Sequence, residues 1–193
     1  MARLGIARWA LATAFICATS APALATTFDF SFSDSADGVS ASGTVDATSN
    51  GDGTFTAQSG SGTLTVTPGS NADQAGLPGG ALTLPAPDGS GSTPNTLAYD
   101  DLLFPGQSSL VDDNGLYFAL SDGTDVVFWN DPPGGQTYAV TAANYDPSSA
   151  LNGAYYGSPN GTFTLVAVPE PATLALFGVA VLGLGVTRRR WSR

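Results

Sequence analysis

Alternation of apolar and polar residues dominates the middle of the chain and predicts β-strands. Phe28-Asp29-Phe30-Ser31-Phe32 alternates strictly, which would place three phenylalanines on one face of a sheet. Weaker alternation follows at Gly43–Thr48 and Gly62–Thr67, and Asn50-Gly51-Asp52-Gly53 between them is typical of a turn. We therefore expect an early antiparallel hairpin or meander.

A second group of strands is predicted between Thr96 and Thr141, where apolar stretches alternate with compact turn signals. The apolar residues of 116–120 recur at every second position and would share one face. On the next strand, Val127 and its neighbour Phe128 are both apolar, so both faces of the sheet carry apolar groups. This pattern favours a single, antiparallel, all-β domain that is covered like a β-sandwich.

Residues 68–95 interrupt these strands with a stretch rich in Gly, Pro, Ser, Asn and Asp. Only Ala81–Leu84 resembles a strand there, so we expect a long surface excursion. A last strand is predicted at 161–168, and it runs directly into the C-terminal segment with almost no linker.

The N-terminus has the pattern of a secretory signal peptide. Two arginines flank the start of an apolar run at 9–18, and Ala23 and Ala25 supply a small-x-small cleavage site. We expect residues 1–25 to direct the chain to the Sec translocon. Signal peptidase would then remove them by cutting after Ala25. The alternative is a permanent N-terminal anchor, but the run is shorter than the roughly 20 residues that span a bilayer.

The C-terminus combines a short motif, an apolar helix and a basic end. The motif Val168-Pro169-Glu170-Pro171 is followed by a predicted transmembrane helix at 172–187 and by a basic tail at 188–193. From Ala172 to Val186 such a helix would rise only about 22 Å, against a hydrocarbon core of about 30 Å. The basic residues that would stop the helix and stay in the cytoplasm are Arg188, Arg189 and Arg190.

Together, the Pro-Glu-Pro triplet, the short apolar helix and the arginine run resemble the PEP-CTERM tail of Gram-negative bacteria. We accordingly divide the chain into a signal peptide (1–25), an acidic extracytoplasmic domain (26–167) and a sorting signal (168–193). The resemblance implies an exosortase, an integral-membrane cysteine protease or transpeptidase, as the partner that recognises Pro169, Glu170 and Pro171.

The same resemblance implies a location and further partners. The protein would cross the inner membrane, remain there transiently through its C-terminal helix, and then reach the cell surface or the medium, with exopolysaccharide as a further expected partner. The alternative is a plain single-pass anchor that is never cut. Whether or not it is cut, the tail would take no part in catalysis.

The charges change this picture because all six cationic residues, every one an arginine, lie in the two end segments. Between Thr26 and Val168 there is no Lys, Arg or His, whereas fifteen of the sixteen acidic residues lie there. Nucleic acid is excluded as a partner, since its binding depends on Lys and Arg at the phosphates. The single cysteine, Cys17, falls within the predicted leader, so the mature chain would have no disulfide.

This composition also excludes most catalytic machinery from the middle domain. Without His, Lys, Arg or Cys there can be no Ser-His-Asp, Ser-Lys or Cys-His arrangement and no usual zinc site. Paired carboxylates remain, but no recognisable catalytic Asp motif is present. We therefore expect a non-enzymatic surface or matrix protein with no catalytic residues.

Calcium is the remaining chemical hypothesis, because aspartates in loops supply the hard oxygen ligands that this ion prefers. The candidate ligands are Asp112, Asp113, Asn114, Asp122 and Asp125. None of the loops has EF-hand spacing, and the alternative is that Asp and Asn serve turn geometry and solubility. The second functional hypothesis is therefore a calcium-dependent carbohydrate-binding or adhesive module.

Overall fold

The computed structural model describes residues 25–89 and 91–169, which form one antiparallel β-sheet that curls on itself. The strands are β1 (Ala25–Asp34), β2 (Val39–Ser49), β3 (Phe55–Val66), β4 (Gly80–Leu84), β5 (Leu102–Leu103), β6 (Leu116–Leu120), β7 (Asp125–Asn130), β8 (Tyr138–Asn144), β9 (Gly153–Tyr156) and β10 (Thr162–Ala167). Their order in the sheet is β10-β1-β2-β3-β4-β6-β7-β8-β9, and β5 pairs with β3. The all-β prediction is confirmed.

Strand β1 contributes three core phenylalanines, because its strict alternation places all of them on one face. Phe28, Phe30 and Phe32 are all buried on one face. The ring of Phe30 lies 5.1 Å from that of Phe118 on β6, and the ring of Phe32 lies 5.0 Å from that of Phe128 on β7. The two halves of the sheet thus pack face to face as in a sandwich, although they belong to one hydrogen-bonded sheet.

Backbone hydrogen bonds join the start of β8 to the residue before β10 and so connect distant parts of the curled sheet. Tyr138, the first residue of β8, donates from its N–H to the carbonyl of Gly161 over 3.0 Å and accepts from the N–H of Gly161 over 2.8 Å. Gly161 directly precedes β10, which pairs with β1 at the other end of the strand order. A side chain at 161 would collide with the Phe32 ring, so a glycine is required at this contact.

The outer face of β6 and β7 is also apolar, as the sequence predicted. Tyr117 and Val127 are buried there together with Tyr99, and Leu97 and Trp129 pack against them. The covering segment, residues 95–99, lies over this part of the sheet through Leu97 and Tyr99. Its position is what leaves both faces of β6 and β7 buried.

The predicted surface excursion at 68–95 is only partly right. Strand β4 coincides with the Ala81–Leu84 pattern, but a helical turn, α1 (Asn71–Gln74), precedes it. Ser70 caps this turn by accepting a hydrogen bond from the Asp73 N–H over 3.2 Å. Leu77 is 3% exposed, so part of this Gly- and Pro-rich segment packs into the core.

Two predicted elements fall outside the described residues. The signal peptide lies there except for Ala25, which begins β1. The predicted transmembrane helix at 172–187 lies there completely. Within the part of the chain that the structure describes, no helix has both the length and the apolar character needed to cross a membrane.

Candidate functional site

The turn before β6 is built by the candidate calcium ligand Asp112. Its Oδ1 accepts hydrogen bonds from the Asn114 N–H over 3.0 Å and from the Gly115 N–H over 3.1 Å. Gly115 has φ +81°, and a Cβ there would lie 2.3 Å from the carbonyl oxygen of Phe128. The Asp-Asp-Asn-Gly sequence therefore serves turn geometry, with glycine required at its last position.

Asp100 shares this turn and has an unusual titration. Its Oδ2 accepts from the Asn114 Nδ2 over 3.2 Å, and its Oδ1 accepts from the Leu102 N–H over 3.1 Å. Burial, with a further contribution from the neighbouring Asp112 carboxylate, raises the pKa of Asp100 to about 6. A neighbouring carboxylate disfavours the charged form of Asp100 because the two negative charges would repel each other.

Asp101 is buried beside this pair, with only 1% of its surface exposed. Its Oδ1 accepts from the Tyr117 N–H over 2.9 Å, whereas its Oδ2 has no hydrogen-bond partner among the described residues. Burial raises the pKa of Asp101 to about 7, and the charges of Asp100 and Asp88 act in the same direction. Nothing in the local sequence indicated that this aspartate would be buried.

Asp122 and Asp125 lie at the opposite end of β6 and serve a different loop. Asp122 Oδ1 accepts from the Thr124 N–H over 3.0 Å. Asp125 is 2% exposed and accepts from the Tyr117 hydroxyl over 2.8 Å and from the Asn95 N–H over 2.7 Å. These bonds fasten the covering segment to the sheet. Burial and the Asp125 carboxylate also raise the pKa of the Tyr117 hydroxyl.

The five predicted calcium ligands are therefore separated into two groups. Asp112 and Asn114 contact each other and Asp100, while Asp113 is exposed on the same turn. In the described ranges, no group of three or more His, Cys, Asp or Glu side chains is arranged to hold a metal ion. Calcium binding stays a prediction.

A further carboxylate pair links three loops at another edge of the sheet. Asp34 and Asp37 both accept from the Ser158 hydroxyl, over 3.2 and 2.9 Å. Asp37 also accepts from the Ser158 N–H over 2.6 Å and from the Asn71 Nδ2 over 3.2 Å. Burial acts to raise the pKa of Asp37, but these hydrogen bonds outweigh it and the pKa is lowered. The network holds α1 and the β9–β10 loop against the β1–β2 turn.

The sorting motif begins on the last residue that is still bonded to the sheet. Strand β10 ends at Ala167, and the N–H of Val168 donates to the carbonyl of Thr27 over 2.8 Å. Pro169 follows and is exposed. The other predicted signal residues lie outside the described residues; they are Ala23, Glu170, Pro171, Arg188, Arg189 and Arg190.

The two predicted processing points lie at or close to the ends of neighbouring strands. Ala25, at the predicted signal-peptide cleavage site, starts β1 and pairs with Thr48 of β2. Because β1 and β10 are antiparallel, Phe28 near the start of β1 lies opposite Ala167 at the end of β10. Both predicted processing points thus lie at the same end of the sheet.

A groove on the outer face of β7, β8 and β9 was missed by sequence reasoning. It has a volume of about 230 Å³. The residues that line it include Leu97, Asp113, Asn114, Trp129, Thr141 and Tyr156. Tyr156 is 71% exposed, although a ring of this size usually buries part of its surface. The sequence could have indicated this groove only through Tyr156, an aromatic residue that faces outward from a strand. Strand β9, which carries Tyr156, was not predicted.

Comparison with known families identifies the C-terminal segment. Residues 167–190 match the family described as the PEP-CTERM protein-sorting motif, one residue before the start predicted from the sequence. Searches of curated proteins and of solved structures gave no significant match. The chain therefore carries the PEP-CTERM protein-sorting motif, which implies export and an exosortase as its processing partner.

Proposed function

We propose that this chain is a non-enzymatic surface or matrix protein whose β domain is delivered outside the cell by its sorting tail. The signal peptide would engage the Sec translocon, the C-terminal helix would hold the chain in the inner membrane, and an exosortase would then act near Pro169. The observation that carries the proposal is the PEP-CTERM match, which begins on the last residue of β10. The folded domain is thereby the part to be displayed.

The absence of catalytic residue types from the sequence between Thr26 and Val168 supports a non-enzymatic role. No His, Lys, Arg or Cys is available there as a base, nucleophile or metal ligand. Asp101, whose pKa burial raises to about 7, is 1% exposed, so a substrate has no access to it. We therefore expect binding, rather than catalysis, from this domain.

A second candidate function is carbohydrate binding or adhesion, with exopolysaccharide as the partner. The specific observation that favours it is the groove that contains Trp129 and Tyr156. Aromatic rings with nearby carboxylate and amide groups suit the apolar faces and the hydroxyls of sugars. The calcium-dependent form of this hypothesis rests on the Asp112 turn, where a calcium-dependent rise in melting temperature would support it.

The sorting proposal is tested by the intact mass of the exported protein from hosts with and without an exosortase. With the enzyme, we expect a chain that begins at Thr26 and lacks the apolar tail. Without it, the tail should remain and the chain should stay with the membrane. Equal masses in the two hosts would contradict the proposal.

A matched pair of variants separates recognition of the motif from general effects of the tail. Replacing Pro169, Glu170 and Pro171 by alanine should leave the tail in place even when the exosortase is present. Replacing Thr173 and Thr187 by serine changes the same tail without touching the motif and should leave processing intact. Normal processing of the alanine variant would mean that the triplet is not the recognition element.

A further inference from the structure

The outer face of β7–β9 presents an aligned row of side chains at the floor of the groove. Val127 is the cross-strand neighbour of Thr141, and Thr141 is the cross-strand neighbour of Tyr156. Trp129 follows Val127 by two residues and so lies on the same face. The covering segment packs over Val127 through Leu97, and Tyr156 remains 71% exposed.

Trp129 is held in one orientation within this groove. Its indole Nε1–H donates to the hydroxyl of Thr141 over 3.0 Å, and its ring packs against the Tyr99, Tyr117 and Val127 cluster. The indole therefore has its single donor satisfied and is half-buried. A ring fixed in this way gives a binding partner a preorganised apolar surface.

Polar groups lie at one end of the groove. Asp113 and Asn114, on the turn before β6, line it and are both exposed. The Asn114 Nδ2 already donates to Asp100, which fixes the position of this side chain. A carboxylate acceptor beside aromatic rings suits a ligand that has hydroxyl donors at its edge and C–H groups on its face.

The negative charge of the domain favours neutral ligands over anionic ones. The sequence has no Lys, Arg or His between Thr26 and Val168, so an anionic polymer would meet only repulsion from the aspartates. The groove is also smaller than the roughly 300–1,000 Å³ of pockets that enclose a drug-sized molecule. It suits contact with a short stretch of a polymer rather than enclosure of a free metabolite.

We propose that the groove formed by Trp129, Tyr156 and Asp113 binds neutral polysaccharide, with sugar faces packed on the two aromatic rings and hydroxyls bonded to Asp113. This site gives the second candidate function a location and a ligand class, and it rests on that function. It does not depend on the sorting tail, because every residue that forms it belongs to the described β domain.

The test uses the full chain, purified in a non-glycosidic zwitterionic detergent so that no detergent sugar competes. Isothermal titration calorimetry measures its affinity for three soluble neutral polysaccharides, a mixed-linkage β-glucan, a galactomannan and a dextran, and for the polyuronate alginate. We expect binding to at least one neutral polymer and at least tenfold weaker binding to alginate. Binding to none of the neutral polymers, or equal affinity for alginate, would overturn the proposal.

Variants then assign the binding to the groove. Tyr156→Ala and Asp113→Ala should each weaken it about tenfold, whereas Tyr156→Phe keeps the ring and should stay within about threefold of the original affinity. Tyr145→Ala removes another exposed tyrosine, 56% exposed and outside the groove lining, and is the matched control. Unchanged affinity in Tyr156→Ala and Asp113→Ala, or an equal loss in Tyr145→Ala, would overturn the assignment.

The two proposals fail in distinguishable ways. Loss of tail-dependent processing in the host would leave polysaccharide binding by the purified chain unaffected. Conversely, a purified chain that binds no neutral polysaccharide would leave the mass difference between the two hosts unchanged.

Discussion

At the scale of single residues, the burial and pKa of each aspartate depend on the surrounding fold more than on its neighbours in the sequence. Asp112 and Asp122 each follow the turn chemistry that their neighbours predict, because the carboxylate accepts from backbone N–H groups two or three residues further on. Asp101 has φ +57° and carries its carboxyl group into the interior. Nothing in the local sequence distinguishes Asp101 from Asp100, so its burial is decided by the fold around it.

We predict that Asp101 makes the domain less stable as the pH rises from about 4 to about 7. In that window the folded state keeps a proton on Asp101, whose pKa is about 7, while the unfolded chain has lost it. Asp101→Asn should flatten this decline and raise the free energy of unfolding at pH 8 by on the order of 2–4 kcal/mol. Urea unfolding of the 26–168 fragment across this pH range measures both effects.

Asp113→Asn is the control for this experiment, since it removes one negative charge at an exposed position close by. Its effect on the free energy of unfolding should be much smaller than that of Asp101→Asn. An unchanged pH slope in Asp101→Asn would show that another group causes the decline.

At the scale of the elements, strands β2 and β3 carry glycines where most strands carry side chains. Gly43 and Gly62 are cross-strand partners, and the Phe30 ring lies over both of them. Because neither position has a side chain, the ring can cross the strands and reach Phe118 on the other half of the sheet. These glycines, which usually weaken strands, here permit the central aromatic contact of the core.

We predict that Gly62→Ala destabilises the domain by about 1–3 kcal/mol. A Cβ at this position would lie 2.5 Å from the carbonyl oxygen of Ser42 and 3.1 Å from the Phe30 ring, so the strands or the ring must move. Thr65→Ala, at an exposed position of the same strand, is the control and should cost less. Equal unfolding midpoints for the two variants would mean that the Phe30 ring tolerates the added methyl group.

The sequence located the strands with uneven success. Strand β1 was predicted because its phenylalanines alternate, and the faces of β6 and β7 were assigned correctly because apolar residues occupy both. Strands β2 and β3 begin earlier than predicted, at Val39 and Phe55, because their Ser- and Gly-rich parts have low intrinsic strand preference. Pairing with their neighbours, rather than residue preference, makes those parts extended.

At the scale of the whole molecule, the interactions between charged side chains act against the folded domain. The sequence has fifteen aspartates and no cationic side chain between Thr26 and Val168, so no side-chain ion pair can form within that region. Stability there depends on apolar burial and on the hydrogen bonds of the sheet. Every long-range electrostatic interaction between these aspartates is repulsive.

We predict that added salt stabilises the 26–168 fragment. Raising NaCl from roughly 10 to 150 mM screens the repulsion and should raise the melting temperature by roughly 2–5 °C. Calorimetry at pH 8 measures this shift. A melting temperature that falls with salt would contradict the repulsion argument.

Calcium added at constant ionic strength, in the same calorimetric experiment, tests the calcium hypothesis separately. An ion that binds only the folded state raises the melting temperature beyond the effect of screening. An increase that occurs with Ca²⁺, and that Asp112→Asn removes, would support a site at the turn before β6. Equal melting temperatures in Ca²⁺ and Na⁺ would remove the hypothesis.

The sequence by itself determined the all-β class, the faces of the main strands and the sorting signal, because each depends on residues that are close together in the chain. Only the tertiary structure decided that Tyr138 meets Gly161, that Asp101 is buried, and that Trp129 and Tyr156 share a groove. The physical reason is that alternation fixes which face a side chain occupies but carries no information about which distant strand becomes its neighbour.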